Sequence, residues 1–282
     1  MTTSYDVDEP ATPAGDGGLV RLRLDLSYDG TDFSGWARQP GLRTVQETIE
    51  SALMTVLQLA GPPSLRVAGR TDAGVHATGQ VAHVDVAGPV DPEVLQRRLA
   101  GVLPPDIVAT AVAVAAPGFD ARFAATGRRY RYRIADGPLD PLRRHDTVAG
   151  KRPLDVAAMH RAAQGLVGLR DFAAYCRPRE GATTVRTLHA LDVTRDAGGT
   201  VVISAHADAF CHNQVRSMVG ALLAVGEGRR PVGWPTEILH SGVRDPGVTV
   251  APPHGLTLIA VDYPSDDELA AQVARTRRRR DE

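Results

Sequence analysis

Val20, Leu22, Leu24, Leu26 and Tyr28 alternate with Arg21, Arg23, Asp25 and Ser27, the period of a strand with one buried face. A chain that opens this way must pair the edges of that strand and lay an apolar layer over one side of it. The next apolar period is helical. Val45, Ile49, Leu53 and Leu57 share one face behind Thr44, which with Glu47 has the spacing of a capping box. Leu65 to Ala68 and Gln80 to Val86 read as short strands around a polar loop, and Asp91, Pro92 and Glu93 start a second helix. Ile107 to Ala115 closes the set as a strand, giving the order β-α-β-β-α-β of a ferredoxin-like unit.

The second half repeats that order without a residue-level repeat. Tyr130, Tyr132 and Ile134 alternate with Arg129, Arg131 and Arg133, Asp155 caps a helix through Met159 and Leu166, and strands follow at Leu188 to Val193 and Thr200 to Ala205. An apolar helix from about Gln214 to Val225 stops at Gly226 and Gly228, Pro235 to His240 forms a short helix, and Leu256 to Tyr263 is the last strand. The expected class is α+β: two ferredoxin-like halves with antiparallel sheets, flanked by helices around a central basic cleft. The expected domains are a disordered leader over 1–18, an N-terminal domain over 19–117, a C-terminal domain over 118–264 and a charged tail over 265–282, whose basic run Arg275 to Arg280 reads as a solvated helix end.

At 43% hydrophobic and 23% charged residues, the composition is that of a soluble globular protein and excludes a fibrous or wholly disordered chain. No apolar run approaches the roughly 20 residues of a spanning helix, and Met1 to Pro10 is polar and acidic, so neither a membrane segment nor a secretion signal is indicated. Two cysteines, Cys176 and Cys211, are too few for a disulfide framework and fit a reducing cytoplasm. A net charge of −1 confines any nucleic-acid site to a local patch. Lys151 is the sole lysine, so 31 of the 32 Lys and Arg residues are arginine, which suits phosphates and stacked bases but also follows from GC-rich coding.

Several side chains are candidates for chemistry. The loop Gly69-Arg70-Thr71-Asp72-Ala73-Gly74-Val75-His76 is small enough to push Asp72 into a cleft, with Arg70 beside it to keep the carboxylate ionised; an Asx turn with a surface ion pair has the same composition. Arg216 lies in a mostly apolar helix and needs a partner if buried, Asp72 or a place at the surface being the alternatives. Tyr130 is either a core residue or an aromatic face. Arg128, Arg129, Arg131 and Arg133 crowd around it as a positive stripe. His76, His83, His206 and His212 lack metal-ligand spacing, so no metal site is expected.

The stretch from Val67 through Asp72 to Val81 resembles the active-site segment of TruA-type tRNA pseudouridine synthases. Tyr28 to Trp36, Phe119 to Phe123 with Arg128 to Tyr132, and Gly255 to Leu258 with Val261 to Pro264 resemble further segments of that family, so the likeness spans nearly all of Leu19 to Pro264. One segment departs: where many relatives read Phe-x-His-His-Met-Val-Arg-Asn, this chain has Phe210-Cys211-His212-Asn213-Gln214-Val215-Arg216-Ser217. The resemblance implies isomerisation of uridine to pseudouridine at positions 38 to 40 of tRNA, by a cytoplasmic homodimer without an organic cofactor. It also implies that Asp72 is the catalytic carboxylate, that the Tyr130 ring packs on an extruded uracil, and that Leu256 forms an apolar wall. Arg70 and Arg216 are expected to assist Asp72, while Arg128, Arg129 and Arg131 position the RNA. The rival from another class is a non-catalytic RRM-like RNA-binding or tRNA-folding protein, for which exposed RNP1-type aromatics are not seen. A nucleoside-cleaving carboxylate glycosidase is a second, and would usually need a paired acid.

Overall fold

The computed structural model describes residues 18–178, 181 and 183–278. The leader up to residue 17 and the last four residues of the charged tail lie outside them. The first half comprises β1 (Leu19–Tyr28), α1 (Val45–Leu57), β2 (Arg66–Val67), β3 (His76–Ala87), α2 (Pro92–Val102) and β4 (Ile107–Val114). The second comprises β5 (Gly127–Ala135), β6 (Val148–Ala149), α3 (Val156–Gln164), β7 (Gly168–Asp171), β8 (Val185–Arg195), β9 (Val201–Ala207), α4 (Gln214–Gly226), α5 (Trp234–Ser241) and β10 (Leu256–Asp262). A last helix, α6 (Leu269–Arg277), follows, so half of the segment expected as a charged tail is helical, anchored by the buried Leu269.

The two sheets expected from the repeated order are one. Its strands run β4-β1-β3-β10-β5-β9-β8-β7, with β2 on β3 and β6 on β5. Within each half neighbouring strands are antiparallel except for the short β6, but the halves join through a parallel contact, Thr257 opposite His76 and Leu258 opposite Ala77. Gly79 makes that approach possible: a Cβ there would lie 2.3 Å from the Ile259 carbonyl oxygen.

The alternation of β1 is realised. Leu22, Leu24 and Leu26 are fully buried in one cluster with Val45, Ile49 and Leu53 of α1, and the same cluster runs on through Tyr132, Ile134, Met218 and Leu222 of the second half. One core therefore spans both halves on the helix-bearing side. A smaller cluster on the other side joins Val81, Phe119, Ala121, Ala124 and Leu269, and seats α6.

Caps agree with the sequence at two helices and differ at one. Asp91 accepts from the backbone N–H groups of Glu93 and Val94, and Asp155 from that of Ala158. Thr44 begins α1 but its side chain makes no capping bond. Instead Val45 and Gln46 donate their N–H groups to the carbonyls of Gly35 and Trp36, at 3.2 and 3.0 Å, so a neighbouring loop caps the helix. Cys176 and Cys211, which sequence spacing did not pair, form a disulfide with Cα atoms 5.7 Å apart.

Two predictions follow from this packing. Gly79→Ala should cost about 1–3 kcal/mol in urea unfolding, because the added methyl meets backbone that cannot rotate away. His83, buried in β3, accepts from the Ala121 N–H, and burial, reinforced by Arg21, lowers its pKa from 6.5 to about 4. The unfolded chain thus binds a proton that the folded one refuses. Stability from this group is full above pH 6.5 and falls as pH drops toward 4; chemical denaturation of His83→Gln across that window should show a flatter profile.

Candidate active site

Asp72 is held by its loop and by both halves of the sheet. The Trp36 N–H donates to the Thr71 carbonyl at 3.0 Å, and Val75 closes a turn onto the Asp72 carbonyl at 3.1 Å. Gly35, at φ +92°, sits so close under the loop that a Cβ would lie 3.0 Å from the Thr71 carbonyl oxygen. The Thr71 hydroxyl pairs with the Tyr28 hydroxyl at 2.8 Å, and Gln80 donates to the Gly69 carbonyl at 2.8 Å. Burial pushes the Tyr28 phenol up to about 12, so it stays a neutral hydrogen-bonding group at physiological pH.

The carboxylate of Asp72, 35% exposed, meets one cationic or polar donor at each oxygen. Arg216 Nη1 lies 3.4 Å from Oδ2 and His212 Nε2 lies 3.5 Å from Oδ1. Arg216 is itself oriented by a 2.7 Å bond from Nε to the Ala251 carbonyl. Asn213 precedes α4 in the left-handed conformation, φ 67°, which Asn tolerates better than most residues. His212 lies outside α4, two residues before its first turn, so helical spacing does not relate it to Arg216; the fold alone brings it to Asp72.

Arg70, expected to neutralise Asp72, is exposed and makes no hydrogen bond or ion pair with the described residues. Arg216 takes that place because its helix approaches from the other half.

Tyr130 is buried on the same side of the sheet, its ring edge-on to Phe210 with centroids 5.3 Å apart. Burial, with Tyr28 and Asp72 adding to it, raises its phenol well above the usual range, so the hydroxyl is neutral near pH 7. Leu256, nearly buried, stands opposite Tyr132 in the ladder, while Leu258 stands opposite Tyr130.

The arginine stripe divides. β5 pairs with β9 without a bulge from Arg128 to Ile134, so Arg129, Arg131 and Arg133 point to the side opposite Tyr130. Arg129 there pairs with Asp262 at 3.0 Å. Arg129 and Arg131 thus do not share a face with Tyr130, where a stripe crowding around that ring would place them; strand alternation separates them from it. Arg128 does share the Tyr130 side, but its guanidinium is bonded to three main-chain carbonyls and is not free for phosphate.

His206 and His76 also have protein partners, His206 lying 3.0 Å from Asp262. His76 accepts from the Gly30 N–H at Nδ1, 2.9 Å, which leaves Nε2 to donate to the carbonyls of His145 and His254. Among the described residues no group of three or more His, Cys, Asp or Glu side chains is arranged to hold a metal ion. No helix among them is long and apolar enough to cross a membrane.

A family model described as tRNA pseudouridine synthase matches residues 26–124 and 162–264, which include Asp72, Arg216 and Leu256. The chain belongs to that family. It is 64% identical over 264 residues to the tRNA pseudouridine synthase A of Frankia casuarinae, covering 92% of this chain and 95% of that protein. The proteins of the same name from Streptomyces griseus and Mycobacterium leprae are 57% and 50% identical, each across 92% of this chain and 94% of their own.

The two arginines near Asp72 should separate kinetically. Arg216→Gln should lower kcat at least about tenfold with tRNA affinity little changed, since it removes a donor to the carboxylate. Arg70→Gln should act mainly on KM. Single-turnover rates and binding isotherms on both variants check this; equal kcat losses would contradict the geometry.

Proposed function

We propose that this chain isomerises uridine to pseudouridine in tRNA, at positions 38 to 40 of the anticodon stem and loop. The observation that carries the reading is the placement of Asp72 in the seam between the halves, flanked by Arg216 and His212 on the side where Tyr130 lies. The reaction breaks the bond from ribose C1′ to uracil N1, turns the base and joins C1′ to C5. It is redox-neutral and intramolecular, so its atoms balance without an organic cofactor or an added nucleophile.

A single carboxylate suffices. Asp72 either attacks the nucleotide covalently or takes a proton as a glycal forms, and in both routes Arg216 is its cationic neighbour, 3.4 Å away. The target base must leave its stack to reach Asp72, and the Tyr130 ring supplies a flat apolar surface for it, with Leu256 as the adjoining wall. The Tyr130 hydroxyl, neutral near pH 7, assists removal of the C5 proton as a relay, passing its own proton to water or a nucleotide oxygen as it takes up the one from C5. Arg70, exposed beside Asp72, meets the RNA backbone. Each half is a ferredoxin-like unit, over 19–117 and 118–264, supported by the strand orders β4-β1-β3-β2 and β10-β5-β9-β8. The enzyme works in the cytoplasm as a homodimer.

The test is incubation with unmodified tRNA carrying C5-tritiated uridine. Wild type should release tritium while nucleoside mass stays unchanged and the isomer maps to positions 38 to 40; release of free uracil, or binding without tritium release, would overturn the reading. Asp72→Asn should abolish turnover with tRNA binding and thermal unfolding little changed. Tyr130→Phe should slow a late step by about 10² to 10⁴, the usual range for a lost acid–base group, and a wild-type rate would leave the ring with stacking alone.

A further inference from the structure

Arg128 sits two residues before Tyr130 on the same side of β5, yet it faces backbone. Its Nη1 donates to the Asp208 carbonyl at 2.7 Å, and its Nη2 to the carbonyls of Ala68 at 2.8 Å and Arg122 at 3.1 Å. These acceptors belong to three separate segments. Ala68 directly follows β2, at the start of the Asp72 loop, and its own N–H is fixed to the Val81 carbonyl at 2.9 Å. Asp208 opens the segment that carries Phe210 and His212 and leads into α4 with Arg216. Arg122 lies in the crossover between the halves.

We infer that Arg128 is a positioning residue for the reaction proposed above: its planar guanidinium clamps the foot of the Asp72 loop to the foot of the His212–Arg216 segment and thereby sets the geometry around the Asp72 carboxylate. The inference rests on that functional reading. A guanidinium holds its donors in one rigid fork, so carbonyls bound to it are fixed relative to each other as well as to the cation. The contacts it governs have little slack. Arg216 and His212 stand 3.4 and 3.5 Å from the two Asp72 oxygens, already at the outer limit of hydrogen bonding, so a further shift of either foot opens them. Burial also lowers the pKa of Arg128, as expected of a cation kept out of water, and a group so enclosed reaches a phosphate only by abandoning its carbonyls. The Arg128 side chain therefore acts through Asp72 and its partners and does not touch substrate.

Arg128→Lys keeps the charge and loses the fork; Arg128→Gln loses both. Tritium release in single turnover, tRNA affinity across a range of salt, and thermal melting are measured on both and on wild type. Both variants should melt cooperatively, lose about 10- to 100-fold in kcat, as expected of a misplaced catalytic group, and bind tRNA within about twofold of wild type with the same salt slope. A salt slope reduced by about 1 together with weaker binding would make Arg128 a phosphate contact and overturn the proposal. Loss of the cooperative melt in either variant would assign the residue to the fold alone and also overturn it. Wild-type kcat in Arg128→Gln would sink this proposal by itself, whereas a wild-type protein that releases no tritium would sink the functional reading and this one with it.

Discussion

The parallel edge between β3 and β10 spans only two register pairs, Thr257 with His76 and Leu258 with Ala77, and the rest of the molecule is organised by it. Parallel pairing cannot arise from a hairpin, so it requires the chain to return from its far end to a strand laid down much earlier. Three features secure that return. Gly79 lets the backbones approach, β5 pairs β10 on its other side, and the His76 ring bonds the Gly30 N–H while reaching the carbonyls of His145 and His254. Once the edge is closed, α4 of the second half overhangs the loop of the first, and Arg216 comes within 3.4 Å of Asp72.

Beneath that meeting point the polar groups form a buried chain. The first turn of α1 uses the Gly35 and Trp36 carbonyls, Trp36 holds Thr71, Thr71 holds Tyr28, and Gln80 links the Tyr28 hydroxyl to Gly69. In a low-dielectric interior such a chain is stiff when satisfied and costly when any member is missing. It converts the helix end, which the core fixes by Val45, Ile49 and Leu53, into a fixed course for the loop backbone. The path from hydrophobic periodicity to an immobilised carboxylate is thus short: apolar face, helix position, capping carbonyls, loop.

Much of this was legible in the sequence, for reasons that also mark its limits. The strand Val20 to Tyr28 and the helices capped by Asp91 and Asp155 are local patterns, and local patterns survive folding. The merging of two sheets into one was not legible, because the apolar run Leu256 to Tyr263 reads the same whether its neighbour is parallel or antiparallel. The Thr44 capping box failed for a similar reason: distant carbonyls reached the helix end first. The arginines of β5 were read as one stripe although alternation alone already divides Arg128 from Arg129, Arg131 and Arg133; only the pairing of β5 on both sides shows which face is which. His212 lacked any pattern of its own, and became visible as a site residue through its distance from Asp72.

The lengths of the contacts around Asp72 bear on what that carboxylate can do. Asp85 receives two Arg21 nitrogens at 2.7 Å, and Asp106 receives two from Arg43 at 2.7 and 2.9 Å, the short paired geometry of a structural ion pair. A carboxylate bound that tightly has its charge and lone pairs committed. Asp72 differs: its donors stand at 3.4 and 3.5 Å, one per oxygen. Coulomb attraction to the nearby guanidinium falls only slowly with distance, while directional hydrogen bonding is nearly spent at that separation. Lone pairs remain for an incoming sugar or base. Partners held close to a carboxylate but not in full contact with it stay so only if rigid backbone on both sides keeps them from closing the gap.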